Sequence, residues 1–223
     1  MAAPPGERCE FTTDVRADYF DPDEESLLRI TETDQWRCPH HTFAPTDGPD
    51  DGYDFCPFHL GHEPTHGAAV PDGVAELCVW LITGNTDQVP GLGPLSSDLR
   101  NYAERENESK RFETGERTQF IGAVFGEFRL DYRTIDAVSN APVDWREATV
   151  NDVASCRSAS FEQPLLLSGA VFNCPTTFVD TTFAERAEFQ QTQFTEHADF
   201  HHATFGAWAG FSSTTIAGEA NFR

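Results

Sequence analysis

The chain has 223 residues, enough for one large domain or two small ones around a sizeable buried core. Its 37 acidic residues against 15 basic ones give a formal net charge of −22, which argues against direct binding to phosphate backbones, because such binding rests on clustered Lys and Arg. No run of 18 apolar residues occurs and Met1 to Arg8 lack the basic start and apolar centre of a secretory signal, so a cytoplasmic chain without a transmembrane segment is expected.

Residues 1–67 are rich in Cys, His, Pro and Asp, with turn signals at Asp47-Gly48-Pro49 and Asp51-Gly52. They hold too little periodic apolar sequence to build a core alone, and small units of this kind need a disulfide or a metal. Cys38-Pro-His-His41 and Cys56-Pro-Phe-His59 are two Cys-x-x-His pairs separated by 14 residues, with Cys9 upstream. Two residues between ligands let both reach one ion around a tight turn, and thiolate with imidazole is the donor set of a closed tetrahedral structural zinc site.

Two ligand sets fit this spacing. One is Cys38, His41, Cys56 and His59; the other exchanges His41 for Cys9, which otherwise lacks an evident partner. Trp36, Phe43, Tyr53, Phe55 and Phe58 are placed to pack around such a knot. The alternative is a set of separate free cysteines, since disulfides are not expected in a cytoplasmic chain. A full set of protein ligands leaves no position open for substrate, so the expected role is structural.

Residues 68–118 read as a helical connector and N-terminal cap. The run Val74 to Ile82 is too short for periodicity to separate a buried helix from a strand. Thr83 to Pro94 reads as a loop. A helix is predicted from Ser96 or Ser97, as N-cap, to about Phe112, with Gly115 ending it.

From Gly169 onward the chain falls into lines of eleven. One column is Phe172, Phe183, Phe194, Phe205 and Ile216; another is Phe178, Phe189, Phe200, Phe211 and Phe222. Two places before each stands a small residue: Ala170, Thr181, Thr192, Ala203 and Thr214, then Thr176, Ala187, Ala198, Ala209 and Ala220. Large apolar residues thus recur at alternating steps of five and six. Neither a 3.6-residue helix nor a period-2 strand keeps such a series on one side. A chain that turns a corner at every step does, with one large side chain sent inward per side and each coil stacked on the next.

This pattern resembles the Phe-centred variant of the pentapeptide-repeat family, as in Ala170-Val-Phe172, Ala203-Thr-Phe205 and Ala220-Asn-Phe222. The resemblance implies a mainly β fold: a right-handed quadrilateral β-helix over 119–223, four steps per coil, with the central and small residues pointing in. It is densest over 161–223. An upstream register runs through Phe120, Phe125, Leu130 and Ile135, and again through Trp145, Val150, Cys156, Phe161 and Leu167, interrupted at Asn140 near Pro142. Cys156 takes a core slot and is expected to be an inert buried thiol.

The acidic surface, with Lys110 as the sole lysine, is similar to that of proteins from salt-accumulating haloarchaea, and a Cys/His-rich opening before Phe-type repeats resembles the haloarchaeal members of the family. His62, His66, His197, His201 and His202 read as solvated surface residues. No catalytic or cofactor-binding fingerprint occurs, so a non-enzymatic scaffold or protein-interaction module with an unidentified protein partner is expected. Alternatives are a DNA-mimic inhibitor or protector of gyrase, which the family resemblance brings in, and a soluble regulatory part of a membrane-associated system. The chain stops at Asn221-Phe222-Arg223 in mid-pattern, which predicts truncation, extension, or a homodimer through the C-terminal coil.

Overall fold

The structure is a computed structural model and describes residues 8–14, 35–47, 52–62, 69–84, 95–108, 118–137 and 141–223. Past residue 148 the chain is a succession of short parallel strands whose partners lie one coil away. Thr182 pairs with Ser160 and Thr204, Ala187 with Leu165 and Ala209, and Gln193 with Val171 and Thr215, an offset of 22 residues in every case. Two eleven-residue units therefore close one coil.

The coil has four faces. The inward column of the first holds Phe125, Val150, Phe172, Phe194 and Ile216, and that of the second Leu130, Cys156, Phe178, Phe200 and Phe222. The third holds Ile135, Phe161, Phe183 and Phe205, and the fourth Phe120, Trp145, Leu167, Phe189 and Phe211. Along each column the rings stack nearly parallel at strand spacing: Phe183 on Phe205 at 4.9 Å, Phe178 on Phe200 at 4.9 Å, Phe189 on Phe211 at 4.8 Å. Across faces they meet edge-on, as Phe189 meets Phe200 at 5.5 Å and 90°. Both geometries suit the aromatic quadrupole.

The small inward column is shared between Ala and Thr for a specific reason. A buried hydroxyl needs a partner, and each threonine finds one on a backbone carbonyl. Thr181 Oγ1 donates to Cys156 O at 2.6 Å, and Thr192 Oγ1 to Leu167 O at 2.9 Å. Corners recur with the same period. Glu147, Ser158, Asp180, Gln191, His202 and Ser213 all take left-handed φ between 53° and 58°, and Gly169 fills the matching position at 74°.

The upstream series belongs to the same columns. Strand β3 (Val124–Arg129) pairs with β6 (Thr149–Ser155) at an offset of 25 residues, rising to 26 past a bulge between Phe125 and Glu127. The offset is still 26 at Ile135 with Phe161 and returns to 22 at Val143 with Leu165. The first coil thus carries four more residues between Ile135 and Val143 than the coil above it. Asn140, where the sequence pattern breaks, falls in that stretch and outside the described residues.

Among the described residues, two α-helices precede the solenoid. Helix α1 (Val74–Thr83) settles the ambiguous apolar run as helix, delimited by Gly73 and Gly84, both in left-handed conformation. It is buried on nearly every side, against β3, β4 (Thr134–Ile135) and α2 (Ser97–Glu108). A helix that is apolar all round has to be enclosed in this way. Ser96 Oγ accepts the Leu99 amide at 3.3 Å and so caps α2, while the expected end near Phe112 and stop at Gly115 lie outside the described residues. No helix among the described residues is long and apolar enough to cross a membrane.

Candidate metal centre

The N-terminal segment folds into a knot against the first coil. Strand β1 (Thr12–Asp14) pairs antiparallel with β2 (Gln35–Arg37), which brings Cys9 alongside Cys38; the Cys9 amide donates to His40 O and the Cys38 amide to Phe11 O. The turn from Cys56 closes through the His59 amide on Cys56 O at 3.0 Å and runs into a 3-10 turn at Leu60–His62.

Cys9, Cys38, Cys56 and His59 converge there, all fully buried, with one donor atom of each within 4.8 Å of every other. Cys38 and Cys56 Sγ are 3.7 Å apart; His59 Nδ1 is 3.1 Å from Cys56 Sγ and 3.6 Å from Cys9 Sγ. These separations are too long for a disulfide and match the edges of a tetrahedron, about 3.8 Å between sulfurs bound at ~2.3 Å. The residues present fit a structural metal ion. The Cys56 amide also donates to Cys9 Sγ at 3.3 Å, a contact that favours a thiolate.

His59 is set to ligate through Nδ1. Its Nε2 lies 2.9 Å from Ile121 O, and a carbonyl can only accept, so Nε2 carries the proton and Nδ1 presents its lone pair to the sulfurs. Phe11 stacks on the imidazole at 4.0 Å and 9°. The Phe11 ring leaves no room at Gly122, where a Cβ would sit 2.6 Å from Cζ and where φ is +74°.

The electrostatics match a cation site. Burial pushes the thiols of Cys38 and Cys56 up, and the neighbouring sulfurs add to the effect at Cys56. At Cys9 burial acts in the same direction, but hydrogen bonds from Cys38, Cys56 and His59 outweigh it and hold the thiol far below its usual range. A dication in this pocket would hold all three sulfurs as thiolates.

His41 lies outside the cluster. Its Nδ1 and its amide both reach Glu106 Oε1 at 2.7 Å, and Tyr102 donates to its carbonyl at 2.9 Å. A fully buried carboxylate on α2 therefore claims the imidazole. Burial would raise the Glu106 carboxyl, yet the hydrogen bonds and charges of His40 and His41 hold it well below the carboxylate range. Trp36, Phe43 and Phe58 are buried around the knot, and Tyr53 and Phe55 pack on it in part.

Phe11, His40, His62 and Glu106 also shape this centre and were not singled out as site residues from sequence. Glu106 carries no local signal at all, since it lies 65 residues from His41 on a helix full of charge. His66 lies outside the described residues, while His197, His201 and His202 sit on the solenoid far along the chain, with His202 Nδ1 3.2 Å from Asp180.

Residues 157–204 match the family model for pentapeptide repeats (9 copies). No curated protein and no solved structure matches the chain. The matched residues are coils whose rings stack in 22-residue register, so 157–204 are pentapeptide repeats within a longer β-solenoid.

Proposed function

We propose that the chain is a non-catalytic interaction scaffold, a rigid pentapeptide-repeat rod closed at its N-terminal end by a structural zinc ion on Cys9, Cys38, Cys56 and His59. The observation that carries the scaffold reading is Trp208. On the fourth face Gly210 leaves a notch in the outward column, and a Cβ there would fall 2.2 Å from the Trp208 ring. The edge of the indole occupies that notch, yet the residue is 55% exposed. A rigid aromatic held against a sheet with one side open is an anchor for a protein partner.

A duplex mimic needs acids along the rod. The outward columns of the first and third faces hold Thr149, Val171, Gln193 and Thr215, and Thr134, Ser160, Thr182 and Thr204. Neither of these columns carries an acid, and the exposed acids beside them, such as Glu162, Glu185 and Glu196, are mixed with neutral residues rather than lined up along the rod, which favours the protein-binding reading.

Two measurements test the proposal. Metal analysis of purified protein is expected to find one zinc per chain, lost on Cys56→Ser; zinc-free wild-type protein after reconstitution would overturn the metal half. Capture of a partner at high salt is expected to fail for Trp208→Ala and persist for Gln193→Ala on the first face. Equal capture by both variants would remove Trp208 as the anchor.

A further inference from the structure

We infer that the metal knot serves as a template coil for the solenoid, so that ion binding fixes the first coil of the β-helix in place. The inference rests on the zinc reading above and adds to it a consequence for the neighbouring coil.

In a stacked coil each layer offers carbonyls to the layer before it. Asp144 O accepts the Phe120 amide and Arg146 O accepts the Gly122 amide, both at 2.8 Å. Gln119 pairs with Asp144, so Gln119 O and, two residues on, Ile121 O are the equivalent carbonyls one coil earlier. Two imidazoles take them. His40 Nε2 donates to Gln119 O at 3.0 Å and His59 Nε2 to Ile121 O at 2.9 Å.

The complementary bond is present as well. Thr149 pairs with Val124, and its amide donates to Ala123 O one coil earlier. Val124 in turn donates to Phe58 O at 2.8 Å, the carbonyl next to His59 in the Cys56–His59 turn. The knot thus supplies two donors and one acceptor at the places where a preceding coil would supply them.

It supplies a ring too. His40 stacks on Phe120 at 5.0 Å and 14°, the spacing at which Phe189 stacks on Phe211, so the imidazole prolongs the fourth-face column by one layer. Trp36 Nε1 and His62 Nε2 add bonds to Gln119 Oε1 and Gly122 O at 3.1 and 2.9 Å. An edge of unpaired strand groups invites fraying or wrong pairing, and repeat arrays need a terminal cap. Here the cap copies the bonding pattern of a coil, and His59 joins it to the ion, with one nitrogen on the ligand cluster and the other on Ile121.

The test is hydrogen exchange by mass spectrometry on the full chain, zinc-loaded and after chelation, alongside zinc-loaded His40→Phe, which keeps an aromatic ring on Phe120 but removes the donor. Chelation is expected to speed exchange over 118–125 at least about tenfold and leave 176–200 within about twofold. His40→Phe is expected to keep one zinc per chain and speed exchange over 118–125 alone. Unchanged protection of 118–125 on chelation overturns the inference, and so does an equal loss over 118–125 and 176–200, which would mean global unfolding. Should the wild-type chain bind no zinc, the metal reading fails by itself. The His40→Phe arm then decides the template, which is overturned if its exchange matches wild type. His62→Phe, at an exposed position that packs on Phe11 and lies outside the His40–Phe120 stack, serves in that arm should His40→Phe not fold.

Discussion

The carboxylate of Glu106 ties α2 to the turn that carries Cys38. It accepts both the amide and the imidazole of His41 while fully buried, a geometry in which a charged hydrogen bond contributes roughly 1.5–3 kcal/mol. Because its folded-state pKa is depressed, its contribution is complete above the unfolded value, near 4.3, and is lost as pH falls below it. Glu106→Gln is therefore expected to lower the thermal midpoint at neutral pH. Its gap from wild type should narrow between about pH 5 and the acid limit of folding. A gap that stays constant over that range would show that the charge of Glu106 does not matter.

A second residue-scale effect lies at the corners. An L-residue in left-handed conformation is strained by about 1–2 kcal/mol, and glycine relieves this at an entropic cost of about 0.5–1 kcal/mol. Ser158→Gly is expected to stabilise the solenoid slightly and Ser158→Val to destabilise it, as read by denaturant midpoints. At this scale the sequence shows ligand types and little about partners. The Cys-x-x-His spacings mark where thiols and imidazoles cluster and include His41, whereas Cys9 enters only as a thiol with no other evident partner. What separates them is Glu106, on an element whose packing no local pattern reveals.

Among the elements, the ring columns are the most legible because every five- or six-residue step repeats one burial decision. Phe183 touches rings above, below and beside it, at 4.9 Å to Phe205, 5.5 Å to Phe161 and 5.9 Å to both Phe178 and Phe189. Phe183→Ala should cost about 3–5 kcal/mol and Phe183→Leu much less. Phe222→Ala should cost under about 1 kcal/mol, since that ring is 55% exposed and covered on one side only. Similar losses at Phe183 and Phe222 in denaturant unfolding would contradict the idea of a core that weakens toward the last coil. Elsewhere legibility fails for physical reasons. The Val74 to Thr83 run is helix because it is enclosed by β3, β4 and α2, and an enclosed helix has no polar stripe to betray its period. The four additional residues between Ile135 and Val143 break the columns in sequence while the strands on either side keep their pairing.

For the whole molecule, one contiguous core runs from Cys9 in the knot through α1 and α2 to Phe200 in the solenoid, so the cap and the rod share their stability. Charge acts on this whole. A net charge of −22 on 223 residues repels itself over roughly a Debye length, about 10 Å at 0.1 M salt and about 3 Å at 1 M. The thermal midpoint of zinc-loaded protein should therefore climb steeply with added chloride salt and level off as that length falls below the spacing between surface acids. Strengthened apolar burial predicts a different curve, one that keeps rising with salt and is steeper for sulfate than for chloride. A titration that saturates alike in both salts at matched ionic strength identifies screening. Continued rise with a sulfate advantage assigns the effect to the aromatic core, and a flat curve in both would mean that the acids are spaced widely enough for water alone to insulate them.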